Sequence, residues 1–317
     1  MIKKVHIICH PNSGQGQGKS CLKKVIAYLD HYQIDYLVHR TNQADEAGLM
    51  AKRIVTRGSE PFDEHVLVIG GDGTLHDVVQ SLFLIGLNLP ILYIPAGTGN
   101  DFAKSWLKGQ DYRAILDTLI FGYQVIDVPI FEFEDHNLDR KGIILNSMGF
   151  GMDGVTNFTT GQMMNQLNPM VAKIIHKLKL SYLIGLLLSL GKIPKFNIEL
   201  IVDNEIHKLE QVSIANLVNN PLAGGGIQID NLSKADRKEL AAIIYHHIDA
   251  AAVRELFHKV LITKNQDQSK HINRYVGDLI RLKIDQPIQA QVDGEPFKYP
   301  TIDMTFKTSS YPFIMQA

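Results

Sequence analysis

The stretch His65-Val66-Leu67-Val68-Ile69-Gly70-Gly71-Asp72-Gly73-Thr74 decides the fold. Its first half is a continuous Val/Leu/Ile run, the pattern of a strand buried on both faces of a parallel sheet. Its second half places three glycines in four positions, so the backbone can turn sharply and approach an anion with no Cβ in the way. Helical periodicity follows over Thr74–Leu84, and a helix start offers N–H groups and a positive dipole end to the same anion. Asp72 is the residue there that can hold a divalent cation over that anion. A tight strand-to-helix turn capped by Asp72 is the competing structural reading.

Working outward, the same alternation recurs on both sides. Upstream, Val5–Cys9 reads as a strand and Ser20–Tyr32 as a helix with Leu22, Val25, Ile26 and Leu29 on one face. Asp35–Val38 reads as a short strand and Asp45–Thr56 as a helix. Downstream, Pro90–Ile94 is another apolar strand, running into Pro95-Ala-Gly-Thr-Gly-Asn-Asp101 before a helix that begins near Phe102. Strands joined by helices predict a Rossmann-like, doubly wound α/β domain over residues 1–128. Two of its strands end in glycine-rich loops at the carboxyl edge, where such folds bind ligands. Ser13-Gly-Gln-Gly-Gln-Gly-Lys-Ser20 nearly spells a Walker phosphate loop, but that signature requires glycine at position 13. It reads as a glycine-rich turn beside a nucleotide, with Ser13 and Gly14 as contacts.

Beyond residue 128 the period changes to two. Phe196, Ile198, Leu200 and Val202 alternate with polar residues up to a turn at Asp203-Asn204, and the alternation returns in Leu279–Ile284 and Ile288–Val292. Residues 129–303 therefore read as an antiparallel β-sandwich domain with helical stretches near 170–190 and 250–262. The segment from about 304 to 317 is assigned back to the first domain. Asp293-Gly294, between alternating strands, reads as a type I′ hairpin turn.

Composition narrows the function. A net charge of −1 supplies no basic field for nucleic acid. Cys9 and Cys21 are too few for a disulfide framework and read as free thiols in a reducing cytosol. The N-terminus, MIKKVHIICH, fits a first strand and lacks a signal-peptide cleavage pattern. The apolar run Leu180–Leu190 is far short of the ~20 residues a spanning helix needs. A cytoplasmic protein is expected.

Taken together, Gly70-Gly71-Asp72-Gly73-Thr74 and Gly97-Thr98-Gly99-Asn100-Asp101-Phe102-Ala103 resemble the catalytic domain of diacylglycerol kinases and of the related sphingosine, ceramide and bacterial YegS-type lipid kinases. The first loop is shared with NAD kinases and phosphofructokinases; the second is more specific to the lipid kinases. Asn146-Ser-Met-Gly-Phe-Gly-Met-Asp153 resembles the family's N-x-x-G-x-G-x-D element, and Val292-Asp293-Gly294-Glu295-Pro296 its D-G-E element. These motifs stand in the family's order and span nearly the whole chain.

The resemblance implies an ATP- and Mg2+-dependent enzyme that phosphorylates a lipid hydroxyl, diacylglycerol first among the substrates. By it, Gly70, Gly71, Asp72, Gly73 and Thr74 bind the ATP phosphates, and Asp72 lies close to the magnesium. Thr41, Gly97, Thr98 and Asn100 are implied nucleotide contacts. Glu295 matches the proton acceptor, with Asp293 and Asp153 as supporting acids. A lipid partner implies peripheral association with a membrane surface, for which Lys173–Lys179 and the apolar run after it offer an amphipathic segment; a homodimer is compatible. The alternatives are a kinase for another lipid (phosphatidylglycerol- or sphingoid-type), a kinase for a soluble acceptor such as NAD, and a non-catalytic nucleotide- or lipid-binding relative.

Two positions depart from the family. Its first loop usually begins Asn-Pro-x-Ser-Gly, and this chain has His10-Pro11-Asn12-Ser13-Gly14. Bacterial members often carry an Asp-Gly pair that helps hold a structural magnesium in the second domain. Arg237-Lys238 stand there in this chain, and two cations make a poor cage for a hard dication.

Overall fold

The computed structural model describes residues 4–42, 46–56, 64–167, 193–236 and 238–316. The chain divides into two compact units, residues 1–128 with 310–317, and residues 129–309.

The first unit is a parallel sheet wrapped by helices. Its elements are β1 (Lys4–Cys9), α1 (Ser13–His31), β2 (Tyr36–Arg40), α2 (Glu46–Thr56), β3 (Glu64–Gly70), α3 (Asp72–Phe83), β4 (Ile91–Pro95), α4 (Asp101–Trp106) and α5 (Tyr112–Phe121). The strand order is β4-β3-β1-β2, and Phe313 of the C-terminal segment pairs in parallel with Ile91 on the far side of β4. Val5, Ile7, Ile8, Val66, Leu67, Val68 and Ile69 are all buried, as continuous apolar strands covered on both faces must be. Leu22, Val25 and Leu29 of α1 and Leu75, Val78, Val79 and Leu82 of α3 supply the covering stripes.

Register sets where the loops emerge. Cys9 pairs with Arg40 and with Ile69, and Gly70 pairs with Pro95, so β1, β2, β3 and β4 end level with one another. The chain leaves β1 to one side for β2 and returns to its other side for β3. The loops after β1 and β3 therefore flank the point where the strand order reverses, the ligand-binding crevice of doubly wound sheets.

The second unit is antiparallel. Strand β5 (Tyr123–Asp135) enters it at Pro129 and is followed by β6 (Arg140–Ile144), β7 (Ser147–Gly151), α6 (Met152–Gln166), β8 (Phe196–Val202) and β9 (Glu205–Val218). Then come the short β10 (Leu222–Ala223) and β11 (Ile227–Gln228), β12 (Leu240–His246), α7 (Ala250–His258), β13 (Ile272–Gly277), β14 (Leu279–Ile284), β15 (Ile288–Val292), β16 (Glu295–Tyr299) and β17 (Ile302–Gln316), whose residues from Ser310 on belong to the first unit. The first part of β9 pairs with β8; its last residues pair with β7 on one side and β12 on the other. Gln211, at φ 51°, marks the corner between the two halves. Both halves face one core, to which Phe131, Met148, Phe150, Leu200, Leu217, Ile280, Ala290 and Phe306 contribute. This is the sandwich the alternation predicts.

Local differences from the sequence reading have local causes. Helix α1 spans Ser13–His31, but Gly14, Gln15 and Gly16 sit at φ 55°, 59° and 92°, so regular helix begins only after a left-handed turn. Strand β2 runs to Arg40 because its pairing with β1 continues to Cys9. The helical stretch expected near 170–190, with its amphipathic segment, lies outside the described residues, as does Arg237. No helix among the described residues is long and apolar enough to cross a membrane.

Candidate active site

In the first unit the loops after β1, β3 and β4 lock onto one another. Gly71 and Gly97 approach so closely that a Cβ on Gly97 would lie 2.5 Å from the Gly71 Cα. A Cβ on Gly14 would lie 2.4 Å from the Ala96 carbonyl oxygen. The Ala96 N–H donates to the Gly70 carbonyl at 2.7 Å, and the buried Tyr93 hydroxyl donates to the same oxygen at 3.2 Å. Burial, and then the charges of Asp72 and Asp101, push the Tyr93 hydroxyl pKa well above the usual tyrosine value, so it stays a donor.

Asp72 stands at the first position of α3, whose own N-terminus has no side-chain cap. Its Oδ2 accepts the Asp101 N–H at 3.0 Å and its Oδ1 the Phe102 N–H at 3.2 Å, so it serves the start of α4. A carboxylate has about four lone-pair sites, and can serve N–H donors and a cation together. Asn100, in the left-handed region at φ 53°, closes the second loop on itself: its Oδ1 accepts the Gly97 N–H and its Nδ2 donates to the Gly97 carbonyl, each at 2.9 Å. Asn100 therefore shapes the loop in which Gly97 and Thr98 lie.

The His10 departure has a visible consequence. Its Nδ1 lies 3.0 Å from the Thr41 hydroxyl, and Thr41 is 1% exposed. The hydroxyl of the threonine expected at the nucleotide is engaged by a histidine ring nitrogen.

The acids of the second unit form a network of their own. Asp293 and Gly294 adopt φ 48° and 94° at the turn joining β15 to β16, with Val292 paired to Glu295, the hairpin the Asp-Gly pair predicts. The Asp293 carboxylate accepts the N–H groups of Leu145 (2.8 Å), Asn146 (2.7 Å) and Ser147 (3.0 Å), and its own N–H donates to the Ser147 carbonyl. It holds the N-x-x-G-x-G-x-D element against the hairpin. Asp153, in the first turn of α6, is buried, and its Oδ2 accepts from Gln291 Nε2 at 2.7 Å. Gly149 has to lack a side chain, because a Cβ there would strike that oxygen at 1.9 Å. Glu295 is exposed at the start of β16, and its carboxylate makes no hydrogen bond or ion pair among the described residues.

Sequence reasoning passed over Gln291, Asn219 and Asn220. Asn220 Nδ2 donates to Asn146 Oδ1 at 2.8 Å, and Asn219 Nδ2 to the Leu145 carbonyl at 2.7 Å, so both brace the motif from behind. Gln291 stands at an outward position of an alternating strand, where a polar residue reads as solvated. It is 3% exposed because α6 lies across β15, with Gly154 against the backbone of Gln289 and Ala290.

Residues 4–128, which carry the three interlocked loops, match the family model described as the diacylglycerol kinase catalytic domain. Over this domain the chain is similar to the diacylglycerol kinases. A diacylglycerol kinase of Mycobacterium tuberculosis is 26% identical over 230 residues, covering 72% of this chain and 68% of that one. A Staphylococcus aureus protein provisionally named a lipid kinase is 25% identical over 287 residues, 90% of this chain and 85% of that one. A structure described as a diacylglycerol kinase from Bacillus anthracis superposes with a TM-score of 0.66 at 17% identity, covering 99% of this chain and 97% of the other. At that identity the likeness shows the fold. A diacylglycerol kinase catalytic domain makes the protein a phosphotransferase with an alcohol acceptor, the enzyme class expected from the sequence.

Proposed function

We propose that the protein transfers the γ-phosphate of ATP to the hydroxyl of diacylglycerol, giving phosphatidic acid and ADP. The observation that carries this reading is the tie from Asp72 to the start of α4, which fixes the glycine loop after β3 against the loop that resembles lipid kinases. Ser13, Gly14, Gly70, Gly71, Gly73, Thr74, Gly97 and Thr98 lie where strands give way to loops and helix starts at one sheet edge, a setting suited to cradling phosphates. Magnesium keeps several waters and takes one or two carboxylates beside substrate phosphates. The Asp72 carboxylate, set among these glycine loops, fits that donor set, and such a cation would offset charge on the transferring phosphoryl group.

The acceptor hydroxyl oxygen forms a bond to the γ-phosphorus while the bond from that phosphorus to the ADP oxygen breaks. The proton of the hydroxyl passes to a carboxylate. Glu295 suits this task, being exposed and unengaged among the described residues. Asp293, whose oxygens serve three backbone N–H groups, suits support. The substrate would be met at a membrane surface. The second loop favours a lipid over NAD as acceptor.

The test offers the purified chain γ-labelled ATP with micelles of diacylglycerol, phosphatidylglycerol or a sphingoid base, and NAD in solution. Label in phosphatidic acid is expected. Label in NADP alone, or in no acceptor, would overturn the proposal.

A further inference from the structure

The buried amide of Gln291 touches both halves of the acidic network in the second unit. Its Nε2 donates to Asp153 Oδ2 at 2.7 Å and approaches Ser147 Oγ at 3.3 Å. Its Oε1 accepts the Gly294 N–H at 2.7 Å. One side chain thus orients the carboxylate at the start of α6 and fixes the turn from which Glu295 projects. Val292 and Glu295 face each other across that turn, so a tilt of the hairpin displaces Glu295 directly.

We propose that Gln291 is a positioning residue for phosphoryl transfer, acting through Asp153 and the Asp293-Gly294 turn. The inference rests on the reading of Glu295 as proton acceptor. An amide suits the place because it presents a donor to a carboxylate and an acceptor to an N–H at once. Both contacts are buried, where a misdirected polar group is costly.

The acid in contact with Gln291 is Asp153 on α6, and Asp293 stands in the adjoining turn. Tyr245 of β12 and Asp230 lie beyond: burial first, and then the charges of Asp230 and Asp153, raise the Tyr245 hydroxyl pKa. Gln291→Glu preserves shape and the acceptor for Gly294, but sets a second carboxylate against Asp153. Two carboxylates in contact raise the pKa of one of them, so at low pH they share a proton and the lost hydrogen bond returns.

The experiment measures kcat, the KM for ATP and thermal unfolding from pH 5.5 to 8.5 for the wild type, Gln291→Ala and Gln291→Glu. The expected result is a fall in kcat of about 10²-fold for both variants at pH 8, as for a misplaced reacting group, with the KM for ATP unchanged. The deficit of Gln291→Glu then narrows as pH falls and that of Gln291→Ala does not. Folded variants with wild-type kcat and pH profile would overturn the proposal. So would a Gln291→Glu deficit that is the same at every pH and follows thermal stability, since that is a purely structural role. A wild-type chain inactive on every lipid takes down the parent reading as well; indifferent variants of an active wild type take down this one alone.

Discussion

The Asp72 carboxylate accepts the Asp101 N–H at 3.0 Å, so the acid of the first glycine loop is also the cap of the helix that ends the second. Under the proposed function, a substitution at Asp72 therefore changes chemistry and loop geometry together. Asp72→Ala is expected to abolish phosphoryl transfer and to cost about 0.5–2 kcal/mol of stability, as loss of a helix cap does. Circular dichroism should still show a cooperatively folded protein. Near-normal turnover in folded Asp72→Ala would sink the assignment of Asp72 to the phosphates and the metal.

Glu295 and Asp293 should separate cleanly. Glu295→Gln is expected to lower kcat by about 10²–10⁴, the range for a lost general base, with little change in the KM for ATP or in melting temperature. Asp293→Asn removes charge from three backbone hydrogen bonds, each worth about 1.5–3 kcal/mol when charge-assisted. It should melt markedly lower than Glu295→Gln. If Glu295→Gln keeps its rate while Asp293→Asn stays stable and loses activity, the two roles are reversed.

His10 and Thr41 predict a coupled effect on the nucleotide. With the Thr41 hydroxyl held by the His10 ring at 3.0 Å, Thr41→Val should leave the KM for ATP nearly unchanged in the wild-type background. His10→Asn should lower that KM by freeing the hydroxyl, and Thr41→Val added to it should raise the KM again. The coupling is read from the double-mutant cycle. Equal effects of Thr41→Val in both backgrounds would mean that His10 does not withhold the threonine.

The sequence shows the sheet edge well and the wiring poorly. Continuous apolar runs followed by glycines announce β3 and β4, because strand burial and tight turns are local demands. The left-handed turn at 14–16 hides inside a stretch that is otherwise helical, since glycine marks freedom without saying which conformation is used. Asp293-Gly294 announces a hairpin, but nothing local says that its carboxylate reaches residues 145–147. Gln291 looks solvated because its partner Asp153 lies 138 residues away in the chain. Long-range hydrogen bonds leave no periodicity to read.

His65 should make the first unit acid-sensitive. Its Nε2 lies 3.0 Å from the Tyr123 hydroxyl, its Nδ1 is buried with no partner among the described residues, and burial lowers its pKa below the ordinary imidazole value. The unfolded chain binds a proton there at about pH 6.5, while the folded one resists it. The unfolded state thus holds more protons below that pH, and stability falls as pH drops through it. His65→Phe should flatten the difference in urea midpoint between pH 7.5 and 5.5. His246, also lowered first by burial, keeps its own contribution, so the comparison is between variant and wild type. An unchanged slope in His65→Phe would show that His65 does not carry the effect.

The second unit is expected to hold its region 224–239 without a metal. Arg274, on β13, donates from Nε to Asp230 Oδ2 and from Nη2 to Glu239 Oε2, each at 3.1 Å, and from Nη2 to Ser233 Oγ at 2.9 Å. Asp230 is 3% exposed and also accepts the Leu232 N–H at 2.9 Å. A guanidinium fork thus supplies the positive charge that two acids would otherwise draw from a cation. Lys238 adds further positive charge to the segment. Melting temperature should therefore be insensitive to EDTA when nucleotide is absent. Arg274→Ala strands a buried carboxylate and should cost about 3–5 kcal/mol, the range for breaking a buried pair from one side. Arg274→Lys should recover only part of this, because one ammonium cannot span both acids with a planar fork. A drop in melting temperature on adding EDTA to the wild type, restored by magnesium, would show that a cation, and not Arg274, ties this region together.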